Sequence, residues 1–482
     1  MAHARGAPLL APRTESNPLR PPSFSSASER DGRNWRNWRD TLRRVAPLLP
    51  ALAVVALLAV PVAGTASDGS AGSGTVADAA SALLVLFCLV RVVRERARPL
   101  TRTAALVLGL PVFGVCVAAI TSYDPVSSLP GVVRYLQIFV LVPGALLLLI
   151  RDRRDFRLVA WAMVALALVQ GLIGVVQYLT GTGASYMGED IRAVGTFGPT
   201  DVMGMATVVS YGLVAAVGLA LGAGAESGPG GAREVPRGQR AAALGCAALL
   251  LLPLVVSFSR GAWIATVVAV TLQLVLSGPR RAARVALVTA ALGVVLVGGL
   301  GIGSQMISER LGSITEVTEA PDRSVTDRYT MWAAAGGMWR TDPVTGVGLK
   351  AFPAYRDSHS SIALSSGSDT AGAGKAFQRQ PLLSPHNMYL LVLSEQGVVG
   401  LLALAGSWAA LLVLALRRLP RARRGGRGAD CALVAVGLLI WQLVDFGYAD
   451  IGGPSTVLTA VVLGLAAWWA LDRRADRGPG AA

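Results

Sequence analysis

The chain has 482 residues, 53% of them hydrophobic and 15% charged, with a formal net charge of +15. A soluble protein would carry about a quarter charged residues, and the arginines here stand in short clusters between apolar runs, so a soluble globular fold and a nucleic-acid-binding face are both excluded. The four cysteines, Cys88, Cys116, Cys246 and Cys431, lie within or beside apolar runs without a CxxC spacing, and read as small core residues rather than redox or metal groups.

In chain order, residues 1–44 are rich in Pro, Ser and Arg and are expected to form a disordered basic tail without a cleavable signal. Its end, "RNWRNWRD" (33–40), interleaves Arg and Trp as a segment at an anionic membrane surface does. Apolar runs follow at 45–64, 76–93, 103–121, 132–150, 157–179, 201–223, 241–257, 261–277 and 284–302, and again at 397–416, 430–448 and 455–471. Each is long enough to approach or span a bilayer, which predicts an all-α polytopic membrane protein of about twelve transmembrane helices. By domains, 45–302 holds helices one to nine, 303–385 is a long polar loop, 386–471 holds helices ten to twelve, and 472–482 is a second tail.

The connections alternate in charge. "RVVRERARPLTR", "RDRRDFR", "REVPRGQR", "PRRAAR", "RRLPRARRGGR" and "DRRADR" follow the even-numbered runs, and the odd connections are poor in Arg and Lys. By the positive-inside rule both termini are cytoplasmic and the long loop is extracytoplasmic. Within that loop, 323–343 predicts a short helix with Trp332 and Trp339 on an apolar face. Residues 344–352 predict a glycine turn, and 357–375, rich in Ser, Gly and Ala, read as a mobile flap.

Three polar features fall on the outer face in this topology. "IRAVGTFGPTDVMG" (191–204) carries Arg192, "SFSRGAW" (257–263) carries Arg260 in a tight connection, and "SPHN" (384–387) carries His386, one of three histidines. Each arginine alone reads as an interfacial snorkelling side chain or as a ligand for an anion. His386 alone reads as a helix cap or as a general base. Together they suit a diphosphate held by planar guanidinium forks beside a proton acceptor. Arg134, Arg328, Arg340 and Asp445 are secondary candidates, each a structural partner or a support of the site. No aspartate pair with metal-ligand spacing stands on the outer face, so the expected chemistry uses no metal and no cofactor.

"SFSRGAW", then "DRYTMWAAAGGMWRTDPVTGVGLKAF", then "SPHNMYLLVLSEQGVVGLL", in that order around the long loop, resemble the O-antigen ligase and polymerase superfamily over roughly 190–416. The resemblance implies a twelve-helix, metal-independent GT-C-type glycosyltransferase that uses a glycan on undecaprenyl diphosphate at the outer leaflet of the bacterial inner membrane. It implies donor-binding arginines, matched by Arg192 and Arg260, and a histidine acting on the acceptor, matched by His386. Asn387 would orient the imidazole. Thr200-Asp201 stands where many relatives carry a Pro-Asn turn. The expected activity is polymerisation or ligation of a cell-surface polysaccharide, with a glycan, glycolipid or protein acceptor. The competing class is a lipid-linked glycan transporter, or flippase, which would place charges near mid-membrane and carry an internal repeat. No repeat is evident.

Overall fold

The computed structural model describes residues 44–61, 75–96, 100–186, 189–222, 237–278, 323–361, 368–372, 375–380, 382–424 and 428–472, with positions 280, 283, 364 and 474. The N-terminal tail, the ninth apolar run and the first part of the long loop lie outside these residues.

The described helices are α1 (Leu49–Leu57), α2 (Val76–Glu95), α3 (Arg102–Ile120), α4 (Pro125–Leu149), α5 (Arg153–Thr180), α6 (Gly204–Gly222), α7 (Arg237–Val255) and α8 (Arg260–Ser277), followed by α9 (Arg323–Thr341), α10 (Phe352–His359), α11 (Met388–Arg424), α12 (Ala429–Asp445) and α13 (Thr456–Leu471). Eight of them are long and apolar enough to cross a membrane. The polytopic helical expectation therefore holds, and every predicted run except the ninth falls on a helix. The largest shifts in helix starts are in α4, which begins at Pro125 rather than near 132, and in α11, which begins at Met388 rather than at 397.

Polar residues set the helix starts. Asp124 accepts from the amides of Val126 and Ser127, with Pro125 in the first turn of α4. Asp152 caps α5 and Ser259 caps α8 in the same way. These side chains take up amide hydrogens that no helical carbonyl can reach. Within α4 the backbone widens to a π segment, Gln137–Leu141, whose Gln137 donates to Asp78 and Ser81 of α2.

The core is built on α6, which packs against α5, α7, α8 and α12. Its most apolar window is 83% buried, so it has no lipid-facing side, as expected of a helix that is apolar all round. Helices α12 and α13 are buried along nearly their whole length as well. Arginines gather at one end of the bundle: Arg94 and Arg96 at the end of α2, Arg151 and Arg153 at the start of α5, and Arg421, Arg423 and Arg424 at the end of α11. There Arg157 of α5 forms a buried ion pair with Asp430 of α12, with Nη2 to Oδ1 at 3.1 Å.

The long-loop segment docks at the other end. Its helix α9 buries Met331, Ala334, Ala335 and Met338, while Trp332 and Trp339 are half-buried beside that stripe rather than on it. The helical expectation is extended by a four-stranded antiparallel sheet, in the order β2 (Glu189–Arg192), β1 (Ala184–Tyr186), β3 (Ser368–Gly372) and β4 (Lys375–Gln380). The 357–375 stretch is thus partly strand. Ladder pairing with β1, Ala184 opposite Gly372 and Tyr186 opposite Thr370, ties it to the Arg192 hairpin.

The predicted glycine turn repairs a break in α11. Gly397 lies at φ 62°, ψ −166°, which interrupts the helical ladder. The amides of Val347 and Gly348 donate to the carbonyls of Ser394 and Glu395 (3.0 Å each), and the amides of Val398 and Val399 donate to Pro343 and Val344 (3.0 and 3.2 Å). Glu395 adds its carboxylate to the amide of Phe352 at 3.1 Å. Every group freed by the break is thereby paired.

A Cβ at Gly397 would come within 2.2 Å of the Val344 carbonyl oxygen, on a backbone that favours glycine. Gly397→Ala is therefore expected to destabilise the protein by about 2 kcal/mol or more. A lowered midpoint in a thermal melt of the detergent-solubilised protein checks this, and an unchanged midpoint would contradict the account of the break.

Candidate active site at the arginine-poor end

At the arginine-poor end, the loop between α12 and α13 leaves a set of backbone carbonyls that α12 cannot satisfy. Asp445, the last residue of α12, is buried, and its carbonyl accepts from Tyr448 (2.7 Å) and Ala449 (2.8 Å), which turns the chain sharply. The turned carbonyls are then taken up by residues from distant parts of the sequence. The Met388 amide donates to Phe446 (2.8 Å) and Ala449 (3.0 Å). Asn387 donates from Nδ2 to Gly447 (3.0 Å), while its Oδ1 caps α11 by accepting from Leu390 (3.1 Å). Arg328 of α9 reaches the Tyr448 carbonyl at 3.4 Å.

Arg134 of α4 is ion-paired with Asp78 of α2 and donates to the Gly453 carbonyl at 3.2 Å. Asp201, just before α6, accepts from the Ser455 amide at 3.0 Å. Burial raises the Asp201 carboxyl above the ordinary range, against the lowering effect of that bond.

His386 sits over this loop. Its backbone has φ +49°, a left-handed conformation uncommon for a residue with a side chain. It is held from both sides: Trp332 donates to the Pro385 carbonyl at 2.9 Å, and Asn387 is bound as above. The ring Nδ1 lies 3.9 Å from Oδ2 of Asp450, too far for a direct hydrogen bond but within electrostatic reach. The Ser384 hydroxyl donates to the same Asp450 oxygen. The imidazole is held below the usual histidine range. Desolvation is the main cause, Arg328 adds to it, and Asp450 opposes it.

The other predicted residues are placed as follows. Arg260 begins α8, and a Cβ placed on Gly261 beside it would come within 3.3 Å of the Tyr448 side chain, so the start of α8 lies near the same loop. Arg192 ends β2. The turn after it is fixed by Gln177, which accepts from Val194 (3.1 Å) and Gly195 (2.9 Å), and by Gln170, which accepts from Thr196 (3.0 Å). Arg340 is exposed near the end of α9.

The structure thus brings Arg328, His386, Asn387, Asp445 and the α8 start bearing Arg260 onto one loop. Arg134 braces the loop at Gly453, and Arg192 stands on the neighbouring sheet. Asp450 and Ser384 were not among the predicted site residues. The available signal was a second aspartate, five residues after Asp445, in a connection without Arg or Lys.

Residues 245–405 match the family model described as O-antigen ligase, a stretch that includes both Arg260 and His386. The match supports a place for the chain in the O-antigen ligase and polymerase superfamily. No curated protein matches the chain. That family implies glycosyl transfer of the ligase or polymerase type in general, with a lipid-linked glycan substrate and a membrane setting. The matched segment supplies the histidine, and α12 and α13, beyond the match, supply the loop on which it rests.

The two charges near His386 act in opposite senses, so their removal should too. Asp450→Asn should lower the His386 pKa further, because an anion that favours the imidazolium is lost. Arg328→Gln should raise it. An NMR titration that follows His386 among the three histidines measures both shifts, and shifts of the same sign would refute this electrostatic picture.

Proposed function

We propose that the protein is an extracytoplasmic-face glycosyltransferase that moves a glycan from an undecaprenyl-diphosphate donor to an acceptor hydroxyl, as a cell-surface polysaccharide polymerase or ligase. The observation that carries this reading is the convergence of His386, Arg328, Asn387 and the α8 start on the α12–α13 loop, at the end of the bundle away from the arginine clusters. In this reading the protein lies in the bacterial inner membrane with both termini cytoplasmic.

The reaction is a single inverting displacement. The acceptor oxygen attacks the anomeric carbon as the bond from that carbon to the diphosphate oxygen breaks. His386, whose imidazole is held below the usual histidine range, takes the hydroxyl proton. Undecaprenyl diphosphate leaves with the bonding electron pair, and Arg192 and Arg260 stabilise its negative charge. Asp450, on the other side of the ring, favours the imidazolium as it forms. The segment carrying α9, α10 and the β3–β4 hairpin covers the site and limits water. No step requires a metal. A flippase is disfavoured because the site residues gather at a helix end rather than at mid-membrane.

Orientation is tested in a cysteine-free background. Single cysteines placed in 357–375 should label with an impermeant thiol reagent in intact cells, and those in 419–428 only after lysis. The reverse pattern would remove the proposal.

Chemistry is tested with purified protein and lipid-linked donor. His386→Gln should lower turnover by roughly 100-fold or more with donor binding nearly unchanged. Arg260→Ala should abolish transfer while the protein still accumulates in the membrane, and Arg260→Lys should recover only part of it, since a point charge replaces a planar fork. Normal turnover in His386→Gln would leave that residue with a structural role at the loop.

A further inference from the structure

A second site lies at the opposite, arginine-rich end. A cavity of about 260 Å³ opens between the ends of α2, α3, α4 and α13. Its charged lining is Arg91 and Glu95 from α2, with Asp472 and Arg474 after α13, and Thr101 adds a hydroxyl. Its apolar wall comes from leucines such as Leu147, Leu149 and Leu471, with Leu100 partly exposed at the edge. All four helices pass from apolar to charged sequence at this level, which is where a bilayer passes from acyl chain to headgroup. This depth does not depend on which face of the membrane the end occupies.

The lining has equal numbers of each charge. Arg91 Nε lies 2.7 Å from Glu95 Oε1, and both side chains remain partly exposed. Arg474 Nη2 lies 2.6 Å from Asp472 Oδ2 and also donates to the Leu147 carbonyl at 3.4 Å. A simple anion would meet two carboxylates as well as two guanidinium groups, so its attraction is largely cancelled. A molecule with both charges a few ångströms apart finds a partner for each. The leucine wall requires it to be amphiphilic as well. No aromatic ring lines the cavity among the described residues, so a quaternary ammonium has no cage. A primary ammonium, by contrast, can donate hydrogen bonds to Glu95. The volume lies below the roughly 300–1,000 Å³ of pockets for drug-sized molecules, which suits a headgroup.

We propose that this cavity binds the headgroup of a zwitterionic phospholipid with a primary ammonium, its phosphodiester on Arg91 and Arg474, its ammonium on Glu95, and its acyl chains along the leucine wall. Such a lipid would join the ends of α2, α3, α4 and α13 through contacts the chain does not make by itself. The proposal does not depend on the transferase reading.

The test is native mass spectrometry of the delipidated full-length protein, titrated separately with phosphatidylethanolamine, phosphatidylglycerol, phosphatidylcholine and inorganic phosphate. One phosphatidylethanolamine should be retained with a preference on the order of tenfold over the other two lipids, a difference of about 1.4 kcal/mol, and phosphate should not compete. Glu95→Gln should remove the preference over phosphatidylglycerol. Arg91→Gln and Arg474→Gln should each weaken retention of phosphatidylethanolamine. Leu100→Trp, which keeps every charge and narrows the mouth, should weaken retention too, and it decides the matter if an arginine variant is not monodisperse. Equal or tighter binding of phosphatidylglycerol or phosphatidylcholine, competition by phosphate, or retention unchanged in Glu95→Gln and Leu100→Trp would overturn the proposal.

Discussion

The loop between α12 and α13 poses a problem that much of the arginine-poor end exists to solve. A buried helix ends there, and the carbonyls of the turn that follows it point away from any helical donor. The donors come from elsewhere in the chain: Met388 and Asn387 from the start of α11, Arg328 from α9, and Arg134 from α4. Because each of these donors also belongs to a candidate motif or borders one, meeting the backbone's needs gathers the motifs. The proposed catalytic geometry is a consequence of hydrogen-bond accounting.

The same economy governs the break in α11. A helix interrupted at Gly397 exposes two carbonyls and two amides inside a packed assembly, and the 343–348 segment pairs with all four. The long-loop segment is therefore sewn into the helix that carries His386 at its start. Trp332 fastens it again through Pro385, and the β3–β4 hairpin fastens it to the Arg192 hairpin. A cover held at three places can shape the site around a substrate rather than merely lie over it. Coupling of this kind also explains how a polar segment so long can act on a residue at a helix start.

The two ends of the bundle use charge differently. At the arginine-rich end, several cations are matched by carboxylates within a few residues or across a helix pair, as in Arg91–Glu95 and Arg157–Asp430. At the other end, fewer charges are spread over a shared loop, and His386 feels an anion and a cation at once. The first arrangement sets orientation and anchors helix ends. The second leaves a titratable ring poised between two opposing fields, a suitable setting for proton transfer.

Much of this protein was legible in one dimension. Apolar run length fixes where helices lie, because a bilayer demands about twenty residues of apolar surface whatever the fold. Arginine alternation separates the two ends, and the order of the motifs around the long loop points to the superfamily. Asn387 as a cap and the glycines of 344–352 as a turn follow from local backbone chemistry. Asp450, Ser384 and the cationic influence of Arg328 were not legible. Their roles depend on distances between residues about sixty positions apart, which no periodicity records. The pairing of 368–372 with 184–186 was hidden for the same reason: Ser, Gly and Ala carry no strand signature, and the ladder is imposed by a partner strand brought alongside by tertiary packing. Sequence determined the elements and their polarity. Only the tertiary structure decided which backbone groups were left without partners, and hence which distant side chains had to meet.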